Sequence, residues 1–462
     1  MTGATSLDHR FSEAMGSLLG PDFPTDIGLA VSGGGDSMAM LTLAHNWSRV
    51  WGVRLWVVTV DHGLRPEAAS EAAMVAAECG ELGWPHATLR WHWDGQGNVQ
   101  DAARRARLNL IDRWRNGIAH VLMAHTRDDL AETFLMRLGR GSGVDGLSAM
   151  QARRFVGSEP GSGVELLPED VTQTHMPPDG AYPAERAENR NGFQVIRPCL
   201  DMRRAELRHY LTTLKGRWVE DPSNDDRGYD RVRMRQLLQN LDAEGLGAEV
   251  LSATATRLAR ARPALRARAA QVWTEIGTSV CAGNTPLGDL QLDRDGLAKV
   301  EADTRLRLLA AALQYISTNS YRPRVEALEA LLDKVQSGGA GTLHGCEIRA
   351  NGAAIRVTRE PRAVAAQRAV VGDGTLWDRR WKFFHNDFIG LTIRSLGEDG
   401  WGQCQEHNSN TPAFRYARAL PSVWDGDRLV ACDAMAVGPG QTTTLWPMGR
   451  QNEGFHAFLL SH

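Results

Sequence analysis

The run IGLAVSGGGDSMAMLTLAHNWSRV, residues 27–50, passes from a continuously apolar pentapeptide through three glycines into an amphipathic helical pattern. It reads as a buried strand, a tight turn and a helix. Glycines let Ser32-Gly33-Gly34-Gly35-Asp36-Ser37 turn into a nest of backbone N–H groups, and the first turn of the following helix adds partial positive charge. A phosphate or pyrophosphate suits such a cradle, and Asp36 beside it is the natural ligand for a magnesium ion. There is no GKS or GKT ending and no GxGxxG spacing, which excludes the ordinary P-loop and the dinucleotide fingerprint. Out of context, the hexapeptide would read as a glycine turn with Asp36 or Ser37 as a helix N-cap.

The same rhythm repeats downstream. RLWVVTVD (54–61) precedes PEAASEAAMVAAECGELG, HATLRW precedes VQDAARRARLNLIDRWRNG, and AHVLMA (119–124) precedes DDLAETFLMRLGRG. Apolar strands alternating with amphipathic helices predict an α/β fold, a doubly wound parallel sheet over residues 1–150 with ligands at the carboxyl ends of its strands. Residues 151–196, rich in glycine, proline and charge, read as a long flexible insertion. Helical periodicity returns over 197–336, and 337–462 read as a small β-containing C-terminal domain of short strands and glycine turns.

Composition narrows the classes. A chain of 462 residues suggests about three domains. Its 52 basic and 55 acidic side chains leave a net charge of -3, which excludes a global polycation. Only Lys215, Lys299, Lys334 and Lys382 are lysines, and the arginine bias favours bidentate phosphate contacts, although GC-rich coding would give the same bias. The six cysteines form no CxxC pair, as expected in a reducing compartment without a zinc or iron-sulfur site. With no basic, apolar leader at the start and no run of 18 apolar residues, the expectation is a cytoplasmic protein with no membrane partner.

The glycine hexapeptide resembles the signature of the PP-loop ATP pyrophosphatase family, and further segments narrow the likeness to its tRNA(Ile)-lysidine synthase branch. These are Val60-Asp61-His62-Gly63-Leu64-Arg65, Asp101-Ala102-Ala103-Arg104-Arg105-Ala106-Arg107, and Ala124-His125-Thr126-Arg127-Asp128-Asp129-Leu130-Ala131-Glu132-Thr133. Arg140-Gly141-Ser142-Gly143, Gly146-Leu147-Ser148, Arg197-Pro198 and Trp218-Val219-Glu220-Asp221-Pro222-Ser223-Asn224 follow in order, and Leu420–Asp427 resembles the branch's terminal domain. The resemblance implies a Rossmann-like PP-loop domain, a helical substrate-binding and tRNA-binding domain over 197–336, and a C-terminal tRNA-binding domain. It further implies ATP and Mg2+, tRNA(Ile) with a CAU anticodon and free L-lysine, and it leaves the oligomeric state open between a single chain and a homodimer. In the implied reaction the C2 carbonyl of the wobble cytidine is adenylated, pyrophosphate leaves, and the lysine ε-amine displaces AMP to give lysidine. Carried onto this chain, the catalytic set is Asp36, Asp128, Glu132 and Arg104. The nucleotide set is Ser32, Gly33, Gly34, Gly35, Asp36, Ser37, Asp61, His62, Arg104, Arg107 and His125, with Asp36 on the metal.

These residues also have readings of their own. Asp128 and Glu132 are four apart, hence on one helical face beyond a buried strand, where they can bind magnesium, orient a nucleotide or hold an amine; as a lone acidic cluster they would express a helix N-terminal charge preference. His62 alone reads as a structural histidine, and Arg104 and Arg107 as solvated helix residues. RNA contacts are expected from Arg197, from Arg231 and Arg235 in DRGYDRVRMR, and from the acid-free strip that includes Arg257, Arg260, Arg262, Arg266 and Arg268, where a solvated face is the bland alternative. Val232 stands where the branch usually has asparagine. The fourteen tryptophans read mainly as core. The rival readings are a tRNA thiolase, disfavoured by the missing cysteine pair, a small-molecule adenylating ligase, and a non-catalytic RNA- or nucleotide-binding module.

Overall fold

The computed structural model describes residues 5–157, 167–175, 192–220, 230–319, 321–404, 411–447 and 454–461. The chain forms two compact units, Met1–Arg260 and Ala261–His462. The first contains α1 (Leu7–Leu19), β1 (Asp26–Ala30), α2 (Gly35–Trp51), β2 (Arg54–Asp61), α3 (Ala68–Leu82), β3 (His86–Arg90), α4 (Val99–Trp114) and β4 (His120–Met123). It continues through α5 (Arg127–Leu138), α6 (Val144–Leu147), β5 (Arg153–Gly157), β6 (Val171–His175), β7 (Gly192–Ile196), α7 (Arg204–Thr213), α8 (Asp230–Ala243) and α9 (Ala248–Ile276), and the division between units falls within α9.

Seven strands lie in the order β5-β7-β4-β1-β2-β3-β6. The central five are parallel, and β5 and β6 close the edges antiparallel. Successive side chains of a strand point to opposite faces, and β2 shows the result. Leu55 and Val57 enter the apolar layer made by α1, α2, α3 and α7, whereas Trp56 and Val58 enter the layer built on Ala106, Leu110, Ile111 and Trp114 of α4. Both faces are therefore covered, as the continuous apolar runs predict. Because β1 lies between β2 and β4, the strand order reverses beside it, and the loops after β1 and β4 open at the same sheet edge.

Two expectations change. The region read as a flexible insertion contributes β5, β6 and β7 among its described residues, with β7 a buried parallel strand beside β4. Its apolar pattern, GFQVI, is only five residues long and is hidden by charged and glycine-rich flanks. The helical reading of 197–336 is interrupted by a hairpin at 277–293, where Gly283 takes φ +56 at the turn. The hairpin holds only three β-branched residues, Thr278, Val280 and Thr285, and they are outweighed in a sequence window by the long helical period of α9.

The second unit adds β8 (Gly277–Ala282), β9 (Thr285–Asp293), α10 (Arg294–Ala298), α11 (Ala302–Ser317), α12 (Val325–Gln336), β10 (Ala340–Leu343), β11 (Cys346–Asn351) and β12 (Ala354–Arg359). Beyond these lie α13 (Pro361–Val364), β13 (Ala369–Val370), β14 (Trp381–Phe383), β15 (Thr392–Ser395), α14 (Gly397–Gln403) and α15 (Phe414–Ala417), then β16 (Pro421–Asp425), β17 (Arg428–Ala431), β18 (Thr443–Leu445) and α16 (Phe455–Ser461). Its sheets run β10-β11-β12-β9-β8, β13-β15-β16-β17 and β14-β18. Trp377, Trp381 and Trp424 are fully buried there, and eight of the fourteen tryptophans are buried in all, so packing rather than base stacking is their main use. Among the described residues no helix is long and apolar enough to cross a membrane.

Candidate active site

The turn after β1 is held by its own short side chains. Ser37 Oγ donates to the Gly34 carbonyl at 2.9 Å and accepts from the Ser32 N–H at 3.1 Å. Gly33 has φ +84, a left-handed conformation that a side chain would strain. No side chain caps α2, whose first-turn amides carry the helix's positive end. The Val219 N–H donates to the Gly33 carbonyl at 2.9 Å, and a Cβ on Gly35 would stand 3.5 Å from Arg208 and Trp218, so residues 218–219 line this loop closely.

Beyond β4, Thr126 caps α5 in a reciprocal box with Asp129, which fixes the helix start and the direction of its acids. Glu132 is fully buried. A buried carboxylate requires charged partners, and they come from elsewhere in the chain. Arg204, the first residue of α7, donates from Nη1 to Glu132 at 2.9 Å, from Nη2 to Asp129 at 3.2 Å and from Nε to Asp36 at 3.0 Å. Its backbone N–H donates to Asp128 at 2.7 Å. From α8, Arg231 reaches Glu132 at 3.0 Å and Asp129 at 2.9 Å, and Arg235 reaches Glu132 at 3.1 Å. Asp36, Asp129 and Glu132 are thus balanced by three guanidiniums.

The balance is uneven in one place. Asp36 Oδ1 is buried and has no hydrogen-bond partner among the described residues. Desolvation raises the Asp36 pKa above the usual carboxylate value, and Arg204 offsets only part of that. For Asp129 burial also opposes ionisation, but Arg231 and Arg204 prevail and hold the pKa below its usual value. Burial disfavours the charge of Arg204, yet Glu132, Asp129 and Asp36 outweigh it and raise its pKa.

Two histidines of the site, His125 and His62, are held in the neutral form at pH 7. Burial first, then Arg197, lowers His125 to about 4, and Arg197 Nε donates to its Nδ1 at 3.2 Å. Burial and then Arg107, 3.3 Å from Nε2, lower His62 to about 4, and the His62 ring meets Trp91 edge-on at 5.8 Å. Asp61 accepts from the Gly63 N–H at 2.8 Å and shapes the turn. Arg104 is exposed on α4, close enough to Arg107 for their charges to repel.

The structure therefore gathers Asp36, Asp129, Glu132, Arg231 and Arg235, with Asp128 attached through a backbone amide. Arg231 and Arg235, expected on RNA phosphates, pair with the acids, Arg231 while half exposed, and Val232 between them is buried. Arg197 is buried and tied to His125 and to the Gln151 carbonyl at 2.6 Å. Arg257 and Arg260 lie elsewhere, on α9. Residues Asp221 to Asn224 and Arg227 lie outside the described residues. Arg204 and the central role of Asp129 escaped the sequence reading. The available signal was a cation in the first turn of a predicted helix, RRAELRHYL, where the helix dipole disfavours positive charge and an acidic partner is needed.

A family model described as a PP-loop domain matches residues 7–241. Among curated proteins, the tRNA(Ile)-lysidine synthase of Ruegeria pomeroyi is 37% identical over 442 residues, spanning 95% of each chain. That of Wolbachia pipientis wMel is 31% identical over 370 residues, spanning 78% of this chain and 77% of the relative. Among solved structures, the U34-tRNA thiolase NcsA from Methanococcus maripaludis with its 4Fe-4S cluster is 14% identical with a TM-score of 0.40, over 55% of this chain and 79% of that one.

Proposed function

The chain belongs to the tRNA(Ile)-lysidine synthase family, and on that premise we propose that its glycine loop, Asp36 and the acids linked through Arg204 carry the reaction. It is an ATP-dependent ligase that forms a carbon–nitrogen bond, converting the wobble cytidine of tRNA(Ile) to lysidine. The single observation that supports this division of labour is Arg204 joining Asp36 to Asp129 and Glu132 across the sheet edge shared by β1 and β4.

The loop amides after β1 suit the departing pyrophosphate, since they supply preorganised donors at a helix N-terminus. Among the described residues no cluster of three acids, histidines or cysteines is arranged to hold a metal. One carboxylate completed by phosphates and water is nevertheless the usual protein share of a magnesium site, and the unpartnered Asp36 Oδ1 fits that share. Bound there, magnesium would offset charge developing on the phosphates. Arg204 holds Asp36 Oδ2 and so directs the other oxygen. Arg104 and Arg107, on α4, are the cations assigned to the nucleotide phosphates, while neutral His62 and His125 act as positioning groups.

Lysine must attack as a free amine. Glu132 already meets three guanidiniums, whereas Asp128 pairs with no guanidinium among the described residues and accepts only the Arg204 amide. Asp128 is therefore the better acceptor for the amine's proton, with Glu132 ordering the arginines around it. Arg257 and Arg260 serve as RNA contacts. All six cysteines are free, in keeping with a cytoplasmic setting.

The test is a single incubation with ATP, labelled lysine and the CAU-anticodon tRNA(Ile). Label should enter RNA, with AMP and pyrophosphate released in step. AMP formed without either acceptor, or RNA that never becomes labelled, would refute the assignment.

A further inference from the structure

A cavity of about 390 Å3 lies against α9 in the first unit. Its wall on that helix is Glu249, Ser252, Ala253, Thr256, Arg257 and Arg260. The spacing, i, i+3, i+4, i+7, i+8 and i+11, is one continuous helical stripe. The facing wall comes from Arg127 and Leu130 of α5 and from Leu200 and Asp201 before α7. At 100° per residue, Arg127 and Leu130 lie on the side of α5 turned away from Asp129 and Glu132. The cavity is therefore separate from the ionic cluster and lies across one helix from it.

Its lining states what it can hold. Arg127 donates to the carboxylate of Asp201 and, at 2.8 Å, to its carbonyl, so those two charges cancel. Among the described residues Arg257, Arg260 and Glu249 form no ion pair, which leaves two cations and one acid facing the space. Leu130, Leu200 and Ala253 supply apolar surface, and Ser252 and Thr256 supply hydroxyls. A volume near 390 Å3 lies within the roughly 300–1,000 Å3 of small-ligand sites. A ligand matching this inventory has one phosphate, a flat body with an apolar face, and polar edge groups that can donate to a carboxylate.

Resting on the assignment above, we infer that this cavity receives one unpaired, splayed-out nucleotide of the anticodon loop. Arg257 and Arg260 hold its phosphate, Leu130, Leu200 and Ala253 cover the base, and Glu249 accepts from an exocyclic amino group. Unstacked loop bases are the parts of an RNA that a protein can read by sequence, and a carboxylate selects bases carrying an amino donor. A plain phosphate strip would need only the arginines, whereas this open recess, exposed along Glu249, Thr256, Arg257 and Arg260, adds the apolar Leu130, Leu200 and Ala253 and an acid.

The experiment measures binding of a fluorescein-labelled anticodon stem-loop of the CAU tRNA(Ile) to the full chain. Each loop nucleotide is replaced in turn by an abasic one, and the wild type is compared with Ala253→Leu and with Arg257→Ala/Arg260→Ala. In the wild type one abasic position should weaken binding about tenfold, in line with the energy of one stacked base. Ala253→Leu, which fills the recess and keeps the arginines, should lose the sensitivity at that position alone. The double arginine variant should weaken all stem-loops and lower the salt slope by about one to two. Melting temperature and binding of a fluorescent ATP analogue control for folding. Indifference to every abasic position, an unchanged response in Ala253→Leu, or competition by free CMP or AMP as strong as by the stem-loop would overturn the inference. If wild-type chain incorporates lysine while the variants bind normally, only the pocket falls; if it incorporates none, the assignment itself falls.

Discussion

Glu132 in the first unit and Asp378 in the second are both buried carboxylates gripped by arginines, yet they are finished to different degrees. Asp378 takes Arg359 on both oxygens at 2.8–3.2 Å and Arg380 at 3.3 Å, and Gln367 adds a further donor at 3.2 Å. The arginines spend other N–H groups on the carbonyls of Gly345 and Gly288 at 2.7 and 2.9 Å. Around Glu132, by contrast, Arg231 is half exposed, the third acid Asp36 has an unpartnered buried oxygen, and the members come from α2, α5, α7 and α8. The density of ion pairs does not distinguish function from architecture here. What sets the first cluster apart is the unpartnered Asp36 oxygen beside the glycine loop, because a buried carboxylate oxygen left without its partner is costly unless a ligand supplies one.

Three measurements would break or sharpen that contrast. Asp378→Ala strands two buried guanidiniums and should cost about 3–5 kcal/mol in urea unfolding, while lysine incorporation per folded molecule stays near the wild-type rate. A stable variant would show that the second cluster is not structural. Asp36→Asn keeps the shape but removes the charge beside the glycine loop. It should lower kcat/KM by about 10²–10³-fold, roughly 3–4 kcal/mol, with little change in melting temperature. Since burial already disfavours the Asp36 charge, its loss should not destabilise the fold at pH 7. A large drop in melting temperature with intact turnover would place Asp36 in the same class as Asp378.

The third measurement concerns acid. His62, His86 and His125 have folded pKa values of about 4 against 6.5, chiefly because burial disfavours their charge, so below pH 6.5 the unfolded chain binds protons that the folded one does not. Stability is therefore full above 6.5 and declines as the pH falls toward about 4. Melting temperatures recorded over that range should slope downward, and a His86→Gln/His125→Gln variant should show a shallower slope. An equal slope in both proteins would remove these histidines as the cause.

Much of the first unit is legible in order. The strands at 26–30, 54–61, 86–90 and 120–123 lie where unbroken apolar runs predict them, and the glycine turn and Thr126 cap follow from local backbone chemistry. The hairpin at 277–293 and the strand at 192–196 were obscured because short strands carry few residues of pattern, and neighbouring helices or charged flanks dominate the window.

What the sequence alone determines is what depends on neighbours along the chain: strand against helix, the left-handed glycine, the helix start that aims the acids. The choice of partner for each arginine belongs to the tertiary structure. Arg204 and Asp36 are 168 positions apart, and Arg231 and Glu132 are 99. A guanidinium carries no pattern that names its carboxylate; it binds whichever acid the sheet order and helix packing bring within about 3 Å. For that reason Arg231 and Arg235 could be read from sequence as RNA contacts and yet be found holding the acids of the site.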